Sequence, residues 1–217
     1  MRIVAVADTH LYTGRYVVPE GDVFIHAGDL CRQGSLDEVA YAAAWIRSLP
    51  HPVKVVIAGN HDWAFARQPE AARAALGEGI VFLEDSGTEV GGVHIWGSPW
   101  QPAFGDWAFN LPRGPEIAAR WAAIPDGTEV LVTHGPPAGF GDRVHGRHEG
   151  CADLLARVCA LRPRLHLYGH IHEDGGVWDA HGTCFANVTS WECSRPATVI
   201  DIDASGVRPV DVPPREG

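Results

Sequence analysis

Five short apolar runs in this chain end abruptly in polar residues. Each run has the length and the β-branched, apolar composition of one strand. The polar blocks that follow them are Asp8-Thr9-His10, Gly28-Asp29, Gly59-Asn60-His61-Asp62, Thr133-His134-Gly135 and Gly169-His170-Ile171-His172. Because ligand sites of open α/β sheets lie at the carboxyl ends of the strands, we expect these side chains to converge at one sheet edge.

The chemistry of these blocks is narrow. They offer aspartate, asparagine and histidine, and no cysteine. Such mixed nitrogen and oxygen ligands favour Mn, Fe or Zn over Cu or Ca. The glycines in the blocks let the backbone turn tightly and let a second segment approach. Five coincident polar strand ends are improbable as mere caps, so the sequence predicts a metal centre.

The rest of the chain predicts an α/β fold. Helix start signals stand at Ser35 before LDEVAYAAAWIRSL, at Pro69 in PEAARAAL, at Pro115 in PEIAARWAA and at Gly150 before CADLLARVCAL. Later strands are expected to pair antiparallel through turns at Asp85-Ser86-Gly87 and Ala180-His181-Gly182. This pattern indicates helices packed on one mixed sheet or on two. We expect a single domain over residues 1–217, with a tail that frays from about residue 211.

Composition and charge exclude several classes of partner. The formal net charge is −10 with no block of lysines or arginines, which disfavours long nucleic acids. No apolar run approaches the length of a membrane span. Five cysteines without a CxxC pair, and no charged-then-apolar leader, favour a reduced, cytoplasmic protein. A small anionic substrate stays compatible with this charge, because a bound metal ion dominates its local field.

The blocks DTH, GD, GNHD, THG and GHIH, in this order, resemble the metal-binding blocks of the calcineurin-like metallophosphoesterase superfamily. The segments PEGDVFIHAGDL, GSPWQPAFGDWAFNLPRG and LVTHGPPAGFGD are similar to those of the animal brain-type metallophosphoesterase-domain-containing phosphodiesterases and their bacterial relatives. The likeness covers nearly the whole chain. It implies a four-layer α/β sandwich, with mixed sheets flanked by helices and the metal site at the carboxyl ends of the strands.

The resemblance also implies two divalent ions per chain, Mn or Fe before Zn. In this family pattern Asp8, His10 and His172 hold one ion. The other ion is held by Asn60, His134 and His170, and Asp29 bridges the two. A carboxylate suits the bridge because it has two anionic oxygens to share. Some brain-type members have glycine in place of the residue matching His170 and are weak enzymes, whereas this chain keeps the histidine.

Two ions of this kind activate a shared water for in-line displacement at phosphorus, so the expected nucleophile is a metal-bridging hydroxide. His61 directly follows the ligand Asn60, and we expect its side chain to point beside the metals and to protonate the leaving alkoxide. Asp62 is expected to orient His61, as a carboxylate behind a histidine often does. His26 and His166 lie inside strands and are predicted to be hydrogen-bonded neighbours of the site, and His51 is predicted to be solvated.

The segment from Ser98 to Gly114 has too many prolines and glycines for a helix and too many aromatic residues for an idle loop. It is either a lid over the metals or a subunit contact, which leaves a homodimer open. Candidate substrate contacts are Asn110 and Arg113 for a phosphate, and Trp100, Phe104 or Trp107 for stacking on a base. Packing of the aromatic residues within the loop is an equal alternative.

The activity that the resemblance implies is hydrolysis of small phosphodiesters, with cyclic nucleotides (2′,3′ or 3′,5′) as the substrate class. A phosphomonoesterase or protein phosphatase on the same centre stays open. Those substrates carry more charge and usually meet additional arginines, of which Arg113 and Arg143 are the nearest candidates here. A non-catalytic scaffold also stays open, although scaffold versions of such a fold tend to lose metal ligands.

Overall fold

Residues 1–214, the part of the chain that the computed structural model describes, are built mainly from two six-stranded mixed sheets. In chain order the strands are β1 (Arg2–Val6), β2 (Val23–Ala27), β3 (Val53–Ile57), β4 (Val81–Phe82), β5 (Ser86–Val90), β6 (Val93–Ser98), β7 (Gln101–Pro102), β8 (Asn110–Leu111), β9 (Val130–Thr133), β10 (Arg143–Val144), β11 (Arg147–His148), β12 (Leu165–Tyr168), β13 (Gly176–Ala180), β14 (Thr183–Asn187), β15 (Thr198–Asp203) and β16 (Gly206–Asp211). The helices are α1 (Leu36–Ser48), α2 (Trp63–Arg67), α3 (Pro69–Leu76), α4 (Pro115–Ala122) and α5 (Ala152–Leu161), and single 3₁₀ turns lie at Thr13–Arg15 and His172–Asp174.

Both sheets have a parallel centre, with antiparallel strands at one edge of the first sheet and at both edges of the second. The first has the order β16-β15-β1-β2-β3-β4, in which β1 to β4 are parallel and β15 and β16 are antiparallel additions. The second has the order β13-β14-β12-β9-β6-β5, with β6, β9, β12 and β14 parallel. The five polar blocks follow β1, β2, β3, β9 and β12, so all of them lie at carboxyl ends of central parallel strands.

The sheets pack face to face, and helices cover their outer faces. Inward-facing residues such as Ile25 and Val132 fill the layer between the sheets. Outer-face residues of the first sheet pack against α1, α2 and α3, and those of the second against α4 and α5. Successive residues of a central strand point alternately into the layer between the sheets and into the layer under the helices. Because both layers are buried, these strands are apolar at every position. The predicted four-layer α/β sandwich is therefore confirmed.

The helix start signals were informative. The Ser35 side chain accepts a hydrogen bond from the backbone N–H of Glu38, and a full capping box begins α1. Prolines begin α3 and α4 as predicted. Helix α5 begins at Ala152 with Cys151 at its cap, one residue later than the sequence suggested. Helix α2 was not predicted because five residues are too few to show helical periodicity.

One of the two predicted turns is wrong. The Ala180-His181-Gly182 turn does join the antiparallel strands β13 and β14. By contrast, Asp85-Ser86-Gly87 carries the chain from β4 in the first sheet to β5 in the second. The antiparallel partner of β6 is β5, and the two are joined by Gly91 and Gly92, both with positive φ. Strand β5 has the sequence SGTEV, whose polar composition gave no strand signal.

Other expectations concern exposed parts of the chain. His51 was predicted to be solvated, but it is 1% exposed and its ring centroid lies 5.6 Å from that of Phe24. The ring is buried rather than solvated because it packs against Phe24 of strand β2. The expected fraying of the tail extends to residues 215–217, which lie outside the described residues.

Within residues 1–214, no helix is long and apolar enough to cross a membrane. The cytoplasmic location stays a prediction.

Candidate metal centre

The polar blocks of the two sheets meet at one end of the sandwich, and two glycines allow the contact. At Gly59 a Cβ atom would lie 2.3 Å from Oδ1 of Asp29 and 2.7 Å from Cε1 of His134. At Gly169 it would lie 2.6 Å from Oδ2 of Asp8. Such distances are too short for any larger residue, so the glycines let polar side chains of other strands pass directly over the backbone.

One group of side chains is formed by Asp8, His10 and His172. Its ligand atoms all lie within 4.8 Å of one another. Nε2 of His172 is 3.7 Å from Oδ1 of Asp8, and the backbone N–H of His170 donates to both oxygens of Asp8 at 3.1 and 3.0 Å. Asp8 is fully buried. The three residues predicted to share one ion are therefore neighbours, and the carboxylate is held in place by the last block.

Asp29 lies between this group and a second group, to which Asn60 and His134 belong. Its Oδ2 is 3.7 Å from Nε2 of His10 and 3.4 Å from Nε2 of His134. Its Oδ1 accepts the backbone N–H of His61 at 2.8 Å, which fixes the carboxylate. Oδ1 of Asn60 is 2.9 Å from Nε2 of His134. One carboxylate oxygen thus stands near imidazoles from both groups.

Backbone carbonyl oxygens orient two of the imidazoles. Nδ1 of His10 is 2.9 Å from the carbonyl oxygen of Cys31, and Nδ1 of His134 is 3.0 Å from that of Ala27. A carbonyl only accepts hydrogen bonds, so Nδ1 carries the proton in both residues. Nε2 is then the nitrogen that faces the carboxylates and can bind a metal. Such an outer hydrogen bond is typical of metal-binding histidines.

The ionisable groups of the centre shift one another's pKa values. Burial disfavours the charged form of Asp29, but the imidazoles of His134 and His10 outweigh it and bring its pKa well below the usual range. Asp8 follows the same pattern, since the effect of burial is outweighed by His172 and its pKa is also lowered. Burial opposes protonation of His134, yet Asp29 raises the pKa of that imidazole. Two buried carboxylates are therefore anionic and surrounded by nitrogen donors.

His170 lies beside the second group. Its ring centroid lies 5.0 Å from that of His134. Burial, together with the neighbouring His134, lowers the pKa of His170 to about 3, so its imidazole is in the neutral form that binds metals. The donor set thus combines buried anionic oxygens with neutral or carboxylate-facing imidazoles. These residues fit divalent cations that accept mixed nitrogen and oxygen ligands.

Two strand histidines support the loops beside the centre. Nε2 of His26 is 2.9 Å from Oγ1 of Thr9, and Nε2 of His166 is 2.9 Å from Oγ1 of Thr133. Burial lowers the pKa of each imidazole to about 3, so both are neutral. The sequence predicted hydrogen-bonded histidines near the site at these positions. Each one ties a threonine next to a proposed ligand.

His61 lies at the edge of the first group. Its ring centroid is 4.6 Å from that of His10, and its Nδ1 is 2.7 Å from the carbonyl oxygen of Arg32. The ring of Trp107 covers it, with centroids 4.2 Å apart and an interplanar angle of 31°. A ligand atom of His61 also lies within 4.8 Å of those of His10 and Asp29. The side chain is therefore close enough to act on a group bound at the centre.

The structure does not place Asp62 against the imidazole of His61. The buried carboxylate of Asp62 instead accepts three backbone N–H groups, from Gly59 at 2.8 Å, Leu30 at 3.2 Å and Cys31 at 2.9 Å. These bonds occupy the carboxylate, and the Arg32 carbonyl group holds His61 instead. Asp62 therefore ties the loop after β2 to the loop after β3.

Replacing Asp62 by alanine is expected to lower the free energy of unfolding by about 3 kcal/mol or more, because several buried N–H groups lose their acceptor. Affinity for metal should fall as well, since the released loop carries the Cys31 carbonyl that orients His10. Urea denaturation measures the first effect. The control is Glu78→Ala, an exposed turn residue for which we expect a change within about 0.5 kcal/mol. Equal stability of the two variants would refute this role.

Five residues of the Ser98–Gly114 segment are candidate substrate contacts from the sequence, and two of them, Trp100 and Asn110, are used inside the fold. Nε1 of Trp100 donates to Oδ2 of Asp85 at 2.8 Å, and its ring lies under the guanidinium of Arg120. Nδ2 of Asn110 donates to the carbonyl oxygen of Phe104 at 2.9 Å. Because these groups are bonded within the loop or the core, Trp100 and Asn110 do not line the cavity beside the proposed metal ligands.

A cavity of about 570 Å³ adjoins His170 and His172. Arg113 and Phe104 line it from the Ser98–Gly114 segment, and Trp191 lines it from the loop between β14 and β15. Both N–H arms of Arg113 are bonded to backbone carbonyl oxygens, at 2.7 Å each. Trp191 was missed by sequence reasoning, because no motif surrounds it. The cavity gives the site room for an organic group next to a bound phosphate.

Comparisons with known proteins agree with this arrangement. A family model described as calcineurin-like phosphoesterase matches residues 1–174. Human metallophosphoesterase domain-containing protein 1 is 39% identical over 230 residues, covering 93% of this chain and 71% of the human protein. A UPF0046 protein of Caenorhabditis elegans is 35% identical over 208 residues, covering 90% of this chain and 71% of the worm protein.

The fold is also shared with solved structures. A crystal structure of a Thermus thermophilus protein has a TM-score of 0.65 at 15% identity, covering 97% of this chain and 98% of its own. That likeness concerns the fold alone. The family model spans all five polar blocks, and the structure brings their side chains together at one end of the sandwich. The chain therefore belongs to the calcineurin-like phosphoesterase family, whose members are metal-dependent phosphoesterases.

Proposed function

We propose that this protein is a dinuclear metal-dependent phosphodiesterase that hydrolyses small phosphodiesters, with cyclic nucleotides as the substrate class. The observation that carries the proposal is the position of Asp29, whose Oδ2 faces His10 on one side and His134 on the other. Two divalent ions bound there, with Mn or Fe favoured and Zn the alternative, would supply an activated water as nucleophile and positive charge for the phosphoryl oxygens.

The side chains divide between two positions. Asp8, His10 and His172 would hold one ion, and Asn60, His134 and His170 the other, with the Asp29 carboxylate shared. The backbone carbonyl groups behind His10 and His134 keep Nε2 of both rings directed inward. Every ligand type of the family pattern is present. This favours an enzyme over a scaffold that has lost its ligands.

His61 is proposed to donate the proton to the departing alkoxide. Its Nδ1 is bonded to a carbonyl oxygen, so Nε2 is the nitrogen that can give up a proton and take it back. The ring of Trp107, tilted by 31° against the imidazole, covers it and excludes water from one face. A proton donor at the edge of the metal-binding groups is what departure of a poor leaving group requires.

The charges around the cavity favour a diester over a monoester. A phosphate monoester carries more negative charge and needs extra cationic partners. The guanidinium of Arg113 is bonded to two backbone carbonyl oxygens, and two acidic residues, Glu149 and Glu173, also line the cavity. These carboxylates repel further negative charge. They disfavour the phosphomonoesterase and protein phosphatase alternatives.

A panel of phosphate esters tests the proposal. Bis-p-nitrophenyl phosphate, p-nitrophenyl phosphate, 2′,3′-cyclic AMP and 3′,5′-cyclic AMP are each assayed with Mn, Fe, Zn and Mg. We expect faster hydrolysis of the diesters than of the monoester, with Mn or Fe most active. Faster turnover of the monoester would overturn the proposed specificity. Hydrolysis of none of these esters by protein with bound metal would overturn the enzymatic function itself.

A further inference from the structure

The cavity beside the proposed metal centre has an aromatic and acidic lining, and we call it the ring cavity. Its apolar walls are Pro102, Phe104, Pro136, Val144, Ile171 and Trp191. His170 and His172 form the wall shared with the metal centre, and the acidic residues Glu149 and Glu173 belong to the lining as well. A volume of about 570 Å³ is that of a site for a small organic ligand.

Two aromatic rings flank the metal-binding histidines inside the ring cavity. The ring centroid of Phe104 lies 5.0 Å from that of His170, and the ring centroid of Trp191 lies 6.1 Å from that of His172. Phe104 is 43% exposed, although a large apolar side chain is usually covered. A phosphate held next to these two histidines would therefore direct one ester arm between two aromatic surfaces.

The backbone that presents Trp191 is held in an unfavourable conformation. Trp191, Glu192 and Cys193 have φ of 44°, 55° and 62°, three successive non-glycine residues in the left-handed region. Each of them is disfavoured because its Cβ comes too close to the following carbonyl oxygen. The turn is fixed by the backbone N–H of Glu192, which donates to the carbonyl oxygen of Asp8 at 2.9 Å. Strain of this kind collects at functional sites, and here it couples Trp191 to a metal-binding residue.

The charge of the residues that line the ring cavity determines which kind of ligand ring it can bind. Two acidic residues, Glu149 and Glu173, belong to its lining, and the arginine there, Arg113, directs its donors at the carbonyl oxygens of Glu149 and Gly150. Carboxylates accept hydrogen bonds from N–H groups and repel anions. The lining is therefore complementary to a planar group that has N–H donors and no negative charge.

We infer that the ring cavity binds a planar ring that bears N–H donors, carried on one ester arm of the substrate, and that Trp191 and Phe104 stack on it. This inference rests on the proposed function, because it takes the phosphate to bind at the metal centre. It adds that the carboxylates of Glu149 and Glu173 exclude arms with a further negative charge. The protein should thus discriminate between diesters by the group beyond the phosphorus.

Phosphonates separate ring binding from hydrolysis, because their C–P bond is not cleaved. Methylphosphonate, 4-aminobenzylphosphonate and 4-carboxybenzylphosphonate share one headgroup and differ only in the arm. Their dissociation constants are measured by isothermal titration calorimetry on the Mn-loaded full chain. We expect the aminobenzyl compound to bind about tenfold more tightly than methylphosphonate, since stacking on aromatic side chains has this magnitude. The carboxybenzyl compound should show little of this gain in affinity over methylphosphonate.

Variants assign the effect to the ring cavity. Trp191→Leu and Phe104→Leu should each weaken aminobenzylphosphonate binding by about fivefold or more, by loss of stacking. The double variant Glu149→Gln and Glu173→Gln should bring the carboxybenzyl compound close to the aminobenzyl one. Tyr41→Leu, an exposed aromatic residue on α1, is the matched control and should change no affinity.

Each outcome decides the inference. Equal affinity of wild type for methylphosphonate and aminobenzylphosphonate would overturn it, even where esters are hydrolysed and the proposed function stands. Equal weakening of both compounds by Trp191→Leu and by Phe104→Leu would also overturn it. Binding of aminobenzylphosphonate without any binding of methylphosphonate would keep the ring cavity but contradict the phosphate site of the proposed function.

Discussion

Asp29→Ala is expected to reduce kcat/KM for phosphodiesters on the order of a thousandfold and to remove most of the bound metal. The residue is 2% exposed, and its Oδ2 lies within 3.7 Å of imidazoles from both groups. Its loss removes the anion that both proposed ions share. The positive charge of bound metal ions stabilises the transition state of phosphoryl transfer by several kcal/mol. Asp29→Asn keeps the shape and should show a similar loss, because the missing feature is the charge.

The control for this prediction is Asp126→Ala. The Asp126 side chain is 94% exposed and lies away from the polar blocks, so activity and metal content should match those of wild type. Circular dichroism and urea unfolding show whether the Asp29 variants are folded. A folded Asp29→Asn protein with wild-type metal content and turnover would contradict the bridging role.

His61→Gln is expected to lower the rate by about a hundredfold to ten-thousandfold for esters with poor leaving groups, which is the usual contribution of a general acid. For p-nitrophenyl esters the loss should be much smaller, because p-nitrophenolate departs without a proton. Metal content should stay unchanged. The measurement is kcat for a cyclic nucleotide and for bis-p-nitrophenyl phosphate, with metal analysis of the same preparation.

The matched control is His94→Gln, an exposed histidine on β6 whose side chain is 61% accessible. It should leave both rates unchanged. An equal loss for both leaving groups, accompanied by loss of metal, would show that His61 binds an ion together with His10 and Asp29, whose ligand atoms lie within 4.8 Å of its own. That result would replace the proposed proton donor by a ligand.

The candidate site was largely predictable because each of its blocks is local in sequence. An apolar strand followed at once by Asp8, Asp29 or His134 identifies both the strand and its polar end. The rule that parallel strands present their carboxyl ends at one edge then brings the blocks together. The structure adds that Gly59 and Gly169 permit this contact, since larger residues would collide with Asp29 and Asp8.

What could not be predicted depends on contacts between distant segments or on backbone conformation. Asp62 was expected to hold its neighbour His61, but it bonds to Leu30 and Cys31, about thirty positions away along the chain. Trp191 has no motif around it, and only the left-handed turn of the folded chain brings it to the ring cavity. Neither the spacing of residues in the sequence nor the periodicity of hydrophobic residues indicates such contacts.

The central claim is that two ions share Asp29, and electron paramagnetic resonance of the Mn-loaded protein tests it most directly. Metal analysis of the same sample gives the number of ions per chain. We predict two Mn ions per chain with the spectrum of an exchange-coupled pair, which is lost in Asp29→Ala. One Mn per chain, with the six-line spectrum of an isolated ion that is unchanged in Asp29→Ala, would contradict the claim.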